Sequence, residues 1–373
     1  MAGPGYNASP MKNLLILGTR QGEGKTTLAL GLVSALERHA RRIGYFKPVG
    51  KGSLDFAGEK IDGDVALIKE ACNIPAFVRD MGPVSLDGFP SQWISREGRE
   101  QALDRIRKGF ASVAANKNLV LVEGTGNAAA GAAFGLSNAF LAKTLEAKVL
   151  LMASGGVGQP TDDILLNKNY LERAGVELAG VVINKAYPHE MDRIHKWMRR
   201  LLEGLRVKLL GAIPYENELA RATMMNLYEA FRGTVLNGEQ GMGRSLGKVV
   251  LGAMSAQTAL HQLSGQVTLI CPVDREDVLV AALSAMFISG RKDFTLSSVV
   301  ITGVGRLSDM VLRMIRRTAI PVIQVEPDAY TVVSQVHAST FKISPTDTAK
   351  IEKARELVRR HVDADALARE LAD

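Results

Sequence analysis

The chain predicts an α/β fold: a parallel sheet flanked by helices, followed by a second, smaller α/β domain. Two observations carry this. From Asn13 onward, six short apolar runs (residues 14–17, 43–46, 119–122, 149–152, 178–183 and 209–212) alternate with helical patterns. Apolar strands without polar alternation, separated by helices, are the signature of strands buried on both faces. The alternation stops near Ile213-Pro214 and resumes as a shorter series. Its strands fall at 249–251, 267–270, 298–301 and 322–325, and its helices at 275–286, 309–317 and 330–337. A length of 373 residues exceeds one ordinary core, so domains are expected at 1–216 and 217–373.

The first strand, 14–17, opens directly onto Gly18-Thr19-Arg20-Gln21-Gly22-Glu23-Gly24-Lys25-Thr26-Thr27, which runs into a helical pattern over 26–38. This strand, glycine loop and helix is the context of a P-loop. Gly22 and Gly24 let backbone amides converge on an anion, and the helix start adds its partial positive charge. Lys25 is placed to reach the β- and γ-phosphates and Thr26 to offer a hydroxyl to magnesium. Thr19, Glu23 and Thr27 complete the loop. Its first glycine stands one residue early, since the strict spacing would put glycine at Thr19. The expected ligands are ATP or GTP with Mg2+.

The second strand ends at Lys47, held by Pro48, where open α/β sheets bind ligands. Lys47 reads either as a group that orients an anionic acceptor or as a surface lysine; Lys51, four residues on, is a weaker candidate. Asp64 begins a helix at 65–72 and reads either as a magnesium-supporting acid or as an N-cap. Glu123 closes the all-apolar strand at 119–122, and a carboxylate there is costly unless paired or metal-bound. The glycine loops at 124–127 and 155–158 lie on the same predicted sheet edge and read by default as turns. Asn184-Lys185 ends the fifth strand, where such a pair meets a nucleotide base; Tyr187 stands where guanine recognition would place an Asp, which favours adenine.

Between the two series, a helix-like piece at 222–231 leads into Gly233 to Arg244, whose four glycines suggest a loop. The domain junction is expected within 217–247. Two charged helices, at 346–360 and 364–371, end the sequence and suggest a lid or a dimer arm.

Composition bounds the function. Hydrophobic residues make up 46% and charged residues 23%, and no apolar stretch approaches the roughly 20 residues that span a bilayer. Residues 1–11 resemble neither a signal nor a transit peptide. Cys72 and Cys271 offer neither a disulfide framework nor metal-ligand spacing, which fits a reducing cytoplasm. The net charge of +7 is dispersed, and its densest run, 193–208, lies on an amphipathic helix pattern, so nucleic acid is not an expected partner. The six histidines show no ligand spacing.

Several of these motifs, in order, resemble dethiobiotin synthetase: the loop 18–27, Tyr45-Phe46-Lys47-Pro48-Val49, Asp62-Gly63-Asp64 and Val122-Glu123-Gly124. The resemblance covers about the first 215 residues. The second half is similar to the DRTGG domain, through 235–239, 251–254, Asp274-Arg275-Glu276-Asp277 and 301–303. Together they resemble the N-terminal half of long bacterial phosphate acetyltransferases, without the acetyl-transfer domain, so that activity is not expected. The resemblance implies a carboxylate- or carbamate-activating use of ATP. Thr19, Lys25 and Lys47 would face the reacting group, Thr26, Asp64 and Glu123 would hold magnesium, and Asn184 would face the base. It also implies a homodimer. The family has a serine at the position of Lys51, and its glycine pair after the acid is here Thr125-Gly126-Asn127, so an acceptor other than the dethiobiotin precursor is expected. Two readings stay open: an ATPase or ATP-dependent ligase-type enzyme with an unidentified small-molecule acceptor, and a nucleotide-dependent regulatory module.

Overall fold

The structure, a computed structural model, describes residues 12–50, 54–56, 59–86, 95–287, 293–338 and 342–372. It divides into two compact units, one formed by Met1–Glu216 with Ala349–Asp373 and the other by Asn217–Thr348.

In the first unit β1 (Asn13–Gly18) leads through the glycine loop into α1 (Lys25–Leu36) and β2 (Ile43–Phe46). A short antiparallel ribbon, β3 (Leu54–Phe56) and β4 (Glu59–Ile61), precedes α2 (Gly63–Ala71), α3 (Val78–Met81) and α4 (Arg96–Ala114). Then come β5 (Leu119–Glu123), α5 (Asn138–Thr144), β6 (Ala147–Ser154), α6 (Gly158–Arg173) and β7 (Leu178–Ala186). A helix built from α7 (Met191–Arg193), a π-helical stretch (Ile194–Met198) and α8 (Arg199–Gly204) returns the chain to β8 (Leu209–Pro214). The sheet is fully parallel in the order β2-β5-β1-β6-β7-β8. Every residue of β5 and the first seven of β6 are buried, which is why these strands read as unbroken apolar runs. The order places β1 between β5 and β6, so the glycine loop after β1, Glu123 at the end of β5 and Ser154 at the end of β6 lie side by side on the carboxyl edge.

The second unit holds α9 (Asn217–Ala220), α10 (Met224–Phe231), β9 (Thr234–Asn237), β10 (Lys248–Leu251), α11 (Ala256–Gln262), β11 (Gly265–Pro272), α12 (Glu276–Phe287), β12 (Phe294–Thr302), α13 (Asp309–Arg316), β13 (Val322–Val325) and α14 (Ala329–Ala338). Its sheet runs β10-β11-β12-β13-β9, parallel except for β9. Helices cover both faces. Val267, Leu269, Val299 and Ile301 belong to one buried cluster, while Ile270, Val300 and Ile323 belong to the other.

The glycine-rich stretch at 233–244, expected to be a loop, contains strand β9. It pairs antiparallel to β13, and Asn237 fixes it by donating through Nδ2 to the carbonyls of Ile315, Thr318 and Ile320 at 3.1, 3.0 and 2.9 Å. Gly238, at φ +69°, then turns the chain away.

The two terminal helices, α15 (Thr348–His361) and α16 (Ala364–Ala372), were expected with the second domain, but they pack on the first unit. The reason lies in α1, where Leu28 to Val33 are buried in succession, so one apolar stripe does not describe it and it needs cover beyond the sheet. Val358 of α15 fills the space above Gly31, where a Cβ would collide with it. Val362 forms an antiparallel bridge to Gly211 on β8, and Asp363 N–H donates to Leu210 C=O at 2.7 Å, which covers the edge strand.

Candidate functional site

The loop after β1 has the form of an anion cradle. Gly22 and Gly24 adopt φ +76° and +92°, and Gly24 caps α1 without any side-chain acceptor for the first-turn amides. The first helical bond runs from Leu28 N–H to Gly24 C=O, so the amides before it are free of the helix ladder. The loop is braced from beneath by the end of β7. Asn184 Nδ2 donates to Glu23 C=O and Lys185 Nζ to Gly22 C=O, both at 2.6 Å. Lys185 reaches this position from a left-handed backbone, φ +54°. A Cβ on Gly24 would meet the Asn184 amide, so this glycine is required by close approach as well as by its torsion.

Glu23 turns inward. Its carboxylate accepts from the Thr19 hydroxyl at 3.2 Å and from the Ser154 hydroxyl, tying the loop to the end of β6. Thr19 is therefore buried and engaged by Glu23, where the sequence reading had it facing a reacting group. Thr27, on the first turn of α1, is half-buried. Beside the loop lies a cavity of about 260 Å³, lined by Gln21, Gly22, Glu23, Ser154 and Lys185 and bordered by the Arg20–Asp163 ion pair at 2.9 Å.

A buried charge cluster sits on the same edge. Lys47 Nζ lies among three carboxylates: it contacts Asp64, and reaches Asp62 Oδ1 at 3.2 Å and Glu123 Oε1 at 3.4 Å. Glu123 Oε1 also accepts from the Thr26 hydroxyl at 2.9 Å, and Oε2 from the Tyr45 hydroxyl at 2.8 Å. Lys47 is 4% exposed, Asp64 4% and Glu123 2%, which excludes the surface-lysine reading. The N-cap reading of Asp64 is likewise replaced: Asp62 caps α2 by accepting the Asp64 amide at 2.8 Å, which leaves the Asp64 carboxylate for Lys47.

Burial alone would lower the Lys47 pKa, but Glu123, Asp64 and Asp62 together outweigh it and raise it. Lys25 responds the other way. Its burial lowers the pKa, and the attraction of Glu123 and the other carboxylates only partly offsets this while Lys47 adds to the lowering. Burial and then Glu123 push the Tyr45 phenol well above its ordinary value. Lys25, Thr26, Lys47, Asp64 and Glu123 are thus one electrostatic unit, drawn from α1, the ends of β2 and β5, and the start of α2.

Thr26, Asp64 and Glu123 supply the hard oxygen donors that Mg2+ prefers, so the residues fit that ion. Among the described residues no three histidine, cysteine or carboxylate side chains are arranged around an open metal position. Where three carboxylates meet, the Lys47 ammonium stands between them. Sequence reasoning missed Tyr45, Asp62 and Ser154 as parts of this site. Tyr45 and Asp62 lay within quoted motifs, whereas nothing local marked Ser154; Lys185, named in sequence as half of a base-facing pair, donates to the loop carbonyl of Gly22. Lys51 lies outside the described residues.

A family model described as AAA domain matches residues 12–223, more than half of the chain, and one described as DRTGG domain matches 226–339. The chain belongs to the AAA domain family. Its AAA domain carries the P-loop and the buried charge cluster, and the DRTGG domain corresponds to the second sheet. Among curated proteins the chain is similar to phosphate acetyltransferases. That of Nitratidesulfovibrio vulgaris is 25% identical over 374 residues, covering 96% of this chain and 51% of that protein. That of Escherichia coli is 22% identical over 379 residues, covering 94% and 52%. The chain thus spans about half the length of the curated relatives it matches. Solved structures similar to the AAA domain include a ParA family ATPase from Chlorobium tepidum, at 10% identity and TM-score 0.35, covering 57% of this chain and 87% of that one. Among the described residues no helix is long and apolar enough to cross a membrane.

Proposed function

We propose that the AAA domain binds ATP with Mg2+ and directs its γ-phosphoryl group either to water or to a small anionic acceptor, a carboxylate or carbamate. The observation that carries this reading is the convergence of Lys25, Thr26, Asp64, Glu123 and Lys47 at the strand edge beside an amide cradle. Phosphoryl transfer asks for positioning and charge neutralisation more than for covalent catalysis, and those are what this set supplies. Loop amides and Lys25 hold the phosphates. Thr26, Asp64 and Glu123 would hold Mg2+, which would supply neutralisation of the phosphate charge. Lys47 orients the acceptor's negative group, and Asn184 keeps the loop in shape beneath the nucleotide. The dethiobiotin-synthetase-like motifs support this assignment and a homodimeric, cytoplasmic protein.

Magnesium-dependent phosphate release is the direct measurement. Lys25→Ala should lower it by about 100-fold; equal rates in wild type and variant would remove the activity.

A second reading makes the chain a nucleotide-dependent regulatory module. It is supported by the DRTGG domain in the same chain. In that case nucleotide binds, but no member of a metabolite panel stimulates turnover.

A further inference from the structure

We infer that the Lys47 ammonium is a resident counter-ion occupying the carboxylate cage that receives the divalent cation, so that metal entering with nucleotide expels Lys47 and only then presents it to an acidic acceptor. This rests on the nucleotide and magnesium reading above and adds an order to it: metal–nucleotide first, anionic acceptor second.

The geometry points to exclusion. The oxygen of Glu123 that accepts from Thr26 at 2.9 Å is the same Oε1 that Lys47 Nζ approaches at 3.4 Å, and Asp64 is in contact with Nζ as well. The donors suited to a metal are therefore the ones Lys47 holds. Charge points the same way. Lys47 is held by three carboxylates, Asp62, Asp64 and Glu123, in a pocket almost closed to water. A divalent cation on the same Asp64 and Glu123 oxygens would stand directly beside the Lys47 ammonium, and burial makes two adjacent cations costly. Departure of Lys47 removes that repulsion. The phosphates then meet Lys25 and the metal, while Lys47, at the carboxyl end of β2, is left without its carboxylates and attracts a new anion.

Two consequences are measurable without turnover. Mn2+ binding in the absence of nucleotide, followed by electron paramagnetic resonance of the free ion, should be weak in the wild type and at least tenfold tighter in Lys47→Met and Lys47→Gln. Equal affinity in the three proteins overturns the inference. In the wild type, acylation of Lys47 by acetic anhydride, read by mass spectrometry, should rise when Mn2+ is added; unchanged labelling overturns it even where the substituted proteins fail to fold. Calorimetry of Mg2+–ATP binding to the wild type is read separately. No binding there, together with tighter Mn2+ binding in the variants, would retain the exchange of lysine for metal and discard the nucleotide reading.

Discussion

Tyr45 shows how the site is held together one side chain at a time. Its hydroxyl gives the buried Glu123 Oε2 a donor at 2.8 Å, with both side chains almost fully shielded from solvent. Tyr45→Phe removes that donor and leaves the carboxylate oxygen unsatisfied, at an expected cost of about 1.5–3 kcal/mol in urea unfolding at pH 8. The cost depends on pH. Folded Tyr45 holds its proton above the ordinary phenol range, so its contribution is complete below about pH 10 and is lost as the pH rises beyond it. The gap between wild type and Tyr45→Phe should therefore narrow when the unfolding is repeated above pH 10. Lys25, Thr26, Lys47, Asp64 and Glu123 were legible in the sequence because each stands at the end of a strand or the start of a helix, where the α/β pattern puts chemistry. Tyr45 and Ser154 were not, since their partners lie 78 and 131 residues away and only the strand order brings them together.

Among the elements, the ten strands of the two parallel series follow from apolar runs, whereas β9 and the placement of α15 and α16 do not. Strand β9 has four residues, none fully buried, on a sheet edge. Its identity depends on Asn237 and on pairing to β13, not on any hydrophobic period. The terminal helices have clear amphipathic patterns, but a pattern states that a face is buried and not against which neighbour. Gly31 decides that question here. Alanine normally improves a helix interior by roughly 1 kcal/mol over glycine. At Gly31 the added methyl meets Val358, so Gly31→Ala should instead destabilise by about 1–3 kcal/mol, as overpacking does. Adding Val358→Ala should give back part of that loss, and urea midpoints of the two single variants and the double variant measure the coupling. Simple additivity of the two losses would argue against the contact.

At the scale of the molecule, the polypeptide leaves the AAA domain at Glu216, builds the DRTGG domain, and comes back at Ala349 to finish what it began. Truncation after residue 348 should accordingly impair the AAA domain. Its thermal midpoint should fall and the dye ANS should bind the bared face of α1, while a fragment of residues 217–348 keeps its own cooperative unfolding. A truncated protein with an unchanged midpoint would show that α15 and α16 are dispensable. The return also imposes a timetable on synthesis. A ribosome making this protein releases the whole DRTGG domain before α15 and α16 emerge, so the AAA domain must wait, with its first helix partly bare and β8 unguarded, until residues 349–372 arrive.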